Sequence, residues 1–250
     1  MVRKSLKPEA PQRLESLDAL RGFDMFWIVG GGAMLTSLDG IFHSPVTKFI
    51  CTQLDHAEWI GFRFWDIIMP LFLFIVGAAV PFSTAKRLGM GQTRKAIIVH
   101  MVWRAILLWI LGTIAQGNLL AYDISRIQLY SNTLQAIAAG YCIALVAFMY
   151  LDMKRFAVLL CGLLLLFWAL IAWVPVPGYG AGVLTPDGNL ANYLDRNLLG
   201  PFDDGLDYTW ILSSMNFGCT VMLGAIAGAL LRSSKTRNAK ALWLVGSGAA

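Results

Sequence analysis

DIIMPLFLFIVGAAVPFS, residues 66–83, decides the class of fold. After Asp66 the stretch carries no charge. As a helix it would reach about 27 Å, close to the roughly 30 Å of hydrocarbon in a bilayer. The rest of the chain is built the same way. Of 250 residues, 57% are hydrophobic and only 14% charged, with nine tryptophans, and the mean hydropathy is +0.62. A soluble domain carries about 25% charged residues. Further apolar runs read as spans at 17–39, 97–116, 131–151, 156–174 and 211–231, and a seventh opens at Ala241. The expected fold is an all-α polytopic transmembrane helical bundle, because backbone groups within lipid must be satisfied inside each helix.

Lysine and arginine orient the bundle. Arg3, Lys4, Lys7, Arg13, Lys86, Arg87, Arg94, Lys95, Lys154, Arg155, Arg232, Lys235, Arg237 and Lys240 make fourteen cations in one set of loops. The alternate loops hold four: Lys48, Arg63, Arg126 and Arg196. By the positive-inside rule the N-terminal segment, residues 1–16, is cytoplasmic, and 40–65, 117–130 and 175–210 face outward. The net charge of +5 is thus a topology signal, and nothing reads as nucleic-acid binding. MVRKSLKPEAPQRLE is polar and basic, so no cleavable leader is expected. Cys142, Cys161 and Cys219 lie in apolar runs and Cys51 in a loop, a spacing that fits neither a disulfide framework nor a zinc site. The last run, ALWLVGSGAA, is too short to span, so a fragment of a longer protein is expected.

Ionisable groups inside spans are functional candidates, since each costs about 2.5–3.5 kcal/mol to insert. In SLDALRGFD, Arg21 is placed to pair with Asp18 or Asp24, either as an ion pair at the membrane edge or as part of a ligand site. His100 and Arg104 share a helix face, suited to phosphates or to burial against Asp24. Gly30-Gly31-Gly32 suggests close packing or local unwinding. Asn132 and Gln135 read by default as polar glue between helices. Asp66 precedes Pro70, whose missing N–H opens the first turn of that helix. His56, flanked by Asp55 and Glu58, is either an interfacial anchor or a reactive imidazole.

The blocks LDALRGFDMFWIVGGG, HAEWIGFRFWDIIMPLFLFIVG, RIQLYSNTLQAIAAGY and VPVPGYGAGVLTPDGNLANYLDR together resemble the heparan-α-glucosaminide N-acetyltransferase family from about residue 14 onward. The most specific part is H-A-x-W-x-G followed by D-x-x-x-P. The resemblance implies a fold of about eleven helices, of which 17–250 would be the N-terminal part. It implies acetyl transfer from acetyl-CoA, without a metal, to the amine of a terminal glucosamine on the non-cytoplasmic face. His56 corresponds to the active-site histidine, with Asp66 in support. Arg104, Arg21, His100 and Gln135 are then the candidates for holding acetyl-CoA. Asp55, Glu58, Asn189, Asn192 and Asp195 are the candidates for the amino sugar. One departure is visible: lysosomal members carry an asparagine just before the glycine run, where this chain has Trp27-Ile28-Val29. A bacterial inner membrane is the expected site, or the lysosomal membrane in a eukaryote, and a homodimer is compatible with the reading. The alternatives are O-acylation of a periplasmic glycan and small-solute transport through Asp24, Arg104 and Asp66.

Overall fold

The computed structural model describes residues 15–37, 39–115, 119–123 and 127–249. Arg3, Lys4, Lys7, Arg13 and Arg126, with most of the 1–16 segment, lie outside the described residues. The chain is an all-α bundle. Among the described residues, six stretches are long and apolar enough to cross a membrane: Glu15–Phe42, Phe64–Gly89, Arg94–Ala115, Thr133–Tyr150, Met153–Trp173 and Ser214–Arg232.

The first stretch is interrupted. Helix α1 (Glu15–Phe26) passes through a π-helical turn, Trp27–Gly31, into α2 (Gly32–Ser37), and Gly30 leaves helical geometry. Two short helices follow, α3 (Asp39–Phe42) and α4 (Pro45–Gln53), the latter opened by a reciprocal Ser44–Thr47 cap. Then come α5 (Ile68–Gly89), α6 (Arg94–Ala115), α7 (Thr133–Tyr150) and α8 (Met153–Trp173). Helix α9 (Leu190–Leu199) lies within the long loop, followed by α10 (Ser214–Arg232) and α11 (Arg237–Ala249).

The spans expected from sequence recur, with one longer end in α5, α6 and α8, while α7 and α10 start two and three residues inside the expected 131–151 and 211–231. Helix α5 continues to Gly89 rather than stopping near 83, and α6 and α8 each begin three residues earlier than the apolar runs. Hydropathy registers only the hydrocarbon slab, whereas backbone hydrogen bonding continues through Lys86, Arg87, Arg94, Lys95, Lys154 and Arg155. The last helix likewise starts at Arg237, before Ala241.

Helices α5, α7 and α10 form the centre, with Leu73, Val80, Leu145, Val221, Met222 and Ala225 almost fully buried between them. Their contact is backbone against backbone. A Cβ at Gly224 would stand 2.0 Å from the Phe74 carbonyl oxygen, and one at Gly228 would stand 2.2 Å from that of Ala78. Gly224 and Gly228 form a GxxxG pair, which permits the close approach that drives association where lipid is as apolar as leucine. Gly224→Leu should therefore force α5 and α10 apart, costing about 1–3 kcal/mol or more. Gly162→Leu, whose Cβ meets nothing within 4 Å, should cost little. Thermal melts followed by size-exclusion yield would check this; equal stability of the two variants would overturn the packing account.

Candidate active site

The site is built at the start of α5. Arg63 arrives extended (φ −127°, ψ 164°), and Phe64–Ile67 make a 3-10 turn before the α-helix begins. Pro70 has no N–H for the Asp66 carbonyl, so the first turn tightens to i,i+3 bonds such as Ile68 N–H to Trp65 O. Asp66 is the third residue of that turn and reaches back: its Oδ2 accepts the Arg63 N–H at 2.9 Å and the Ala57 N–H at 3.4 Å. Its Oδ1 lies 2.8 Å from His56 Nδ1. Gln53 closes the loop by accepting the Phe64 N–H at 3.2 Å. Gly61, at φ +152°, makes the turn that returns the chain to Asp66.

The expected flanking partners do not orient the ring. Asp55, 79% exposed, accepts the backbone N–H of His56 at 2.9 Å, and Glu58 is exposed. Asp66, ten residues away, holds the imidazole instead. Arg63 ties the loop further, donating to the His56 carbonyl at 2.7 Å and standing 3.7 Å from Asp55. In the sequence Arg63 stands out only as one of the four cations of the alternate loops.

The long loop closes over this corner. Tyr208 meets His56 edge to face, ring centres 5.9 Å apart. The Trp59 indole N–H donates to the Leu184 carbonyl, and the Leu129 N–H to the Phe202 carbonyl at 3.1 Å. Burial pushes the Tyr208 phenol above its ordinary range, as do the carboxylates of Asp55, Asp66 and Asp204. No local signal in the sequence links Tyr208 to a histidine 152 positions earlier.

Asn189, Asn192 and Asp195 shape that loop. Asn189 caps α9 by accepting the Ala191 N–H at 2.9 Å, and Asn192 donates to the Pro186 carbonyl at 3.1 Å. Asp195, fully buried, accepts the N–H groups of Trp210 at 2.5 Å and Ile211 at 3.0 Å. Burial pushes its carboxyl above the usual carboxylate range, against the pull of those two bonds. Trp210 in turn donates to Asp204 at 3.0 Å, and Arg196 spans Asp187 and Asp207. These groups position the loop that presents Tyr208.

The candidates for the cofactor are not gathered at His56. Arg21 pairs with Asp18 at 3.7 Å, each side chain 47% exposed, rather than with Asp24. Arg104 lies 5.5 Å over the Tyr141 ring, not against Asp24, and His100 is exposed one turn before it. Gln135 is fully buried and spends its whole amide locally: Oε1 accepts from Ser131 and Asn132, and Nε2 donates to Leu129 and Thr113. It ties α6 to α7, in the manner of polar glue. Asp24 is fully buried, and neither of its oxygens has a hydrogen-bond partner among the described residues.

A carboxylate can only accept, so Asp66 selects the imidazole tautomer that carries its proton on Nδ1. The Nε2 lone pair is then free, on a side chain 46% exposed. Such an imidazole serves as a general base or as a nucleophile near neutral pH.

Comparison with known proteins adds the following. The profile of a family described as "Domain of unknown function (DUF5009)" matches residues 13–177. Heparan-alpha-glucosaminide N-acetyltransferase of Homo sapiens is 25% identical over 285 aligned residues, covering 91% of this chain and 40% of that protein. The Mus musculus protein of the same name is 26% identical over 183 residues, 58% of this chain and 27% of its own length. This chain therefore spans less than half the length of these curated relatives.

Proposed function

The chain belongs to the DUF5009 family, and we propose that it acts in a membrane acyltransferase. In this reading an acetyl group passes from acetyl-CoA to the amine of a glucosamine-type sugar on the non-cytoplasmic face. The observation that carries the reading is the His56–Asp66 pair, 2.8 Å apart at the mouth of α5 beneath a folded outer loop. The similarity to two N-acetyltransferases supports it.

The chemistry follows from the pair. His56 Nε2 takes a proton from the sugar ammonium, and the freed amine attacks the thioester carbonyl. The tetrahedral adduct collapses with cleavage of the C–S bond; the departing thiolate takes the proton back from the imidazolium, and the freed imidazole passes the second proton of the adduct nitrogen to solvent, leaving the neutral amide. Asp66 stabilises that imidazolium and holds its ring in place. In the variant with an acetyl carrier, Nε2 itself attacks the thioester and the amine then displaces the imidazole. Asp55 and Glu58, exposed beside His56, would attract the ammonium of the acceptor. Arg104, with His100 and Arg21, would face the phosphates of coenzyme A from the opposite side.

The decisive assay is mass spectrometry of amino sugars incubated with acetyl-CoA and membranes containing the protein. A mass gain of one acetyl group on the amine is expected. Acetylation on a hydroxyl instead would replace the N-acyl reading with the O-acyl one. Uptake of unmodified solute would favour transport.

Sidedness has its own test. Single cysteines placed at 84–95 or 232–240 should resist an impermeant thiol reagent in intact cells, while cysteines in 175–210 react. Labelling of the 84–95 positions from outside would reverse the assigned orientation.

A further inference from the structure

One feature of α1 is not used by the chemistry above. Among the described residues, Asp24 is 0% exposed with no partner for either carboxyl oxygen, and the indole Nε1 of Trp27 is likewise buried without one. The two residues are three apart, so they share a helix face about one turn from each other. A buried acceptor and a buried donor left open one turn apart, within a membrane span, are costly to keep for packing alone. The π-helical turn begins at Trp27, and such turns inside α-helices concentrate at functional sites. The region also leads to the reactive pair. The Trp27 ring packs on Phe64 with centres 4.9 Å apart, and the backbone at Gly32 sits against Trp65. Phe64 and Trp65 are the two residues before Asp66.

We propose that Asp24 and Trp27 form a slot for the pantetheine arm of the acyl donor, a proposal that rests on the acyl-transfer reading above. The slot offers one carboxyl group and one N–H between apolar rings. A sugar carries hydroxyls all round and would strand most of them there. The pantetheine arm instead alternates methylene and gem-dimethyl carbons with two amides and a hydroxyl. Its amide N–H or hydroxyl donates to Asp24 while an amide carbonyl accepts from Trp27. The interruption at Trp27–Gly31 gives α1 a point at which to yield as the arm enters.

The test measures equilibrium binding of three probes to purified, nanodisc-embedded protein: coenzyme A, pantetheine, and adenosine 3′,5′-bisphosphate, which lacks the arm. Asp24→Leu and Trp27→Phe should each weaken coenzyme A and pantetheine roughly 10- to 100-fold, the loss expected on removing hydrogen bonds to buried groups. Bisphosphate binding should stay within twofold. Both variants should fold, because Asp24 has no partner to lose and phenylalanine keeps a ring against Phe64. Wild-type-like affinity for coenzyme A in both variants would overturn the slot. So would equal losses for the bisphosphate, or a rise in KM for the amino sugar in place of the donor. If the unsubstituted protein binds no coenzyme A, the acyl-transfer reading falls, and the slot with it.

Discussion

Purified His56→Ala protein should lose acetyl transfer by at least about 10²–10⁴-fold, the range for removing a positioned general base. Its fold and its affinity for acetyl-CoA should remain. The structure makes this substitution unusually clean. The loop bonds at this position run through the His56 backbone: its N–H donates to Asp55 and its carbonyl accepts from Arg63. Alanine keeps both. What disappears is the ring, which is 46% exposed and contacts Asp66 and Tyr208. No core packing is removed, so a lost activity would report on imidazole chemistry and not on unfolding. Turnover by the variant with a confirmed amino-sugar acceptor is the measurement. Near-normal turnover would leave His56 as an interfacial anchor and remove the proposed base.

The spans were legible because lipid imposes one rule on every helix, and apolar length reports it directly. Legibility failed where other physics governs. One end each of α5, α6 and α8 runs past the apolar stretch because charged residues continue the hydrogen-bond ladder, whereas α7 and α10 begin inside theirs. Helix α9 went unread inside 175–210, although Asn189 as cap, followed by Leu190, Ala191 and Leu194 on one face, carries its signal. The Gly224–Gly228 pair was likewise visible and unused.

At the site, composition flagged His56 and Asp66 separately because each is costly near lipid. It could not join them. Their contact depends on Gly61, on Gln53 capturing Phe64, and on the tightened turn before Pro70. The contact with Tyr208 depends on the whole bundle bringing two distant loops to one end. The charged residues of α1 and α6 show the same limit from the other side. Spacing left Arg21 a choice of Asp18 or Asp24 and offered Asp24 to Arg104; Arg21 pairs with Asp18, and Arg104 lies over Tyr141. Helical periodicity gives the faces of each helix but not the rotation of one helix against another.

The Asp66 geometry makes a sharper prediction than loss of a supporting group. Asp66→Asn should be less active than Asp66→Ala, with a fall of about 10²–10⁴-fold for the amide. The Oδ2 position accepts two backbone N–H groups, from Arg63 and Ala57. An asparagine must put its carbonyl oxygen there, since its NH₂ would leave both donors facing another donor. Its NH₂ then takes the Oδ1 position, facing His56 Nδ1 across 2.8 Å. Nδ1 becomes the acceptor, the proton moves to Nε2, and the nitrogen that should take a proton already holds one. Alanine imposes no tautomer; it frees the ring and forfeits the turn's cap, costing about 1 kcal/mol of stability with a smaller kinetic loss. Steady-state kcat for the two purified variants, with folding confirmed by thermal melt, separates these effects. An asparagine variant as active as the alanine one would show that Asp66 holds the loop without selecting the tautomer.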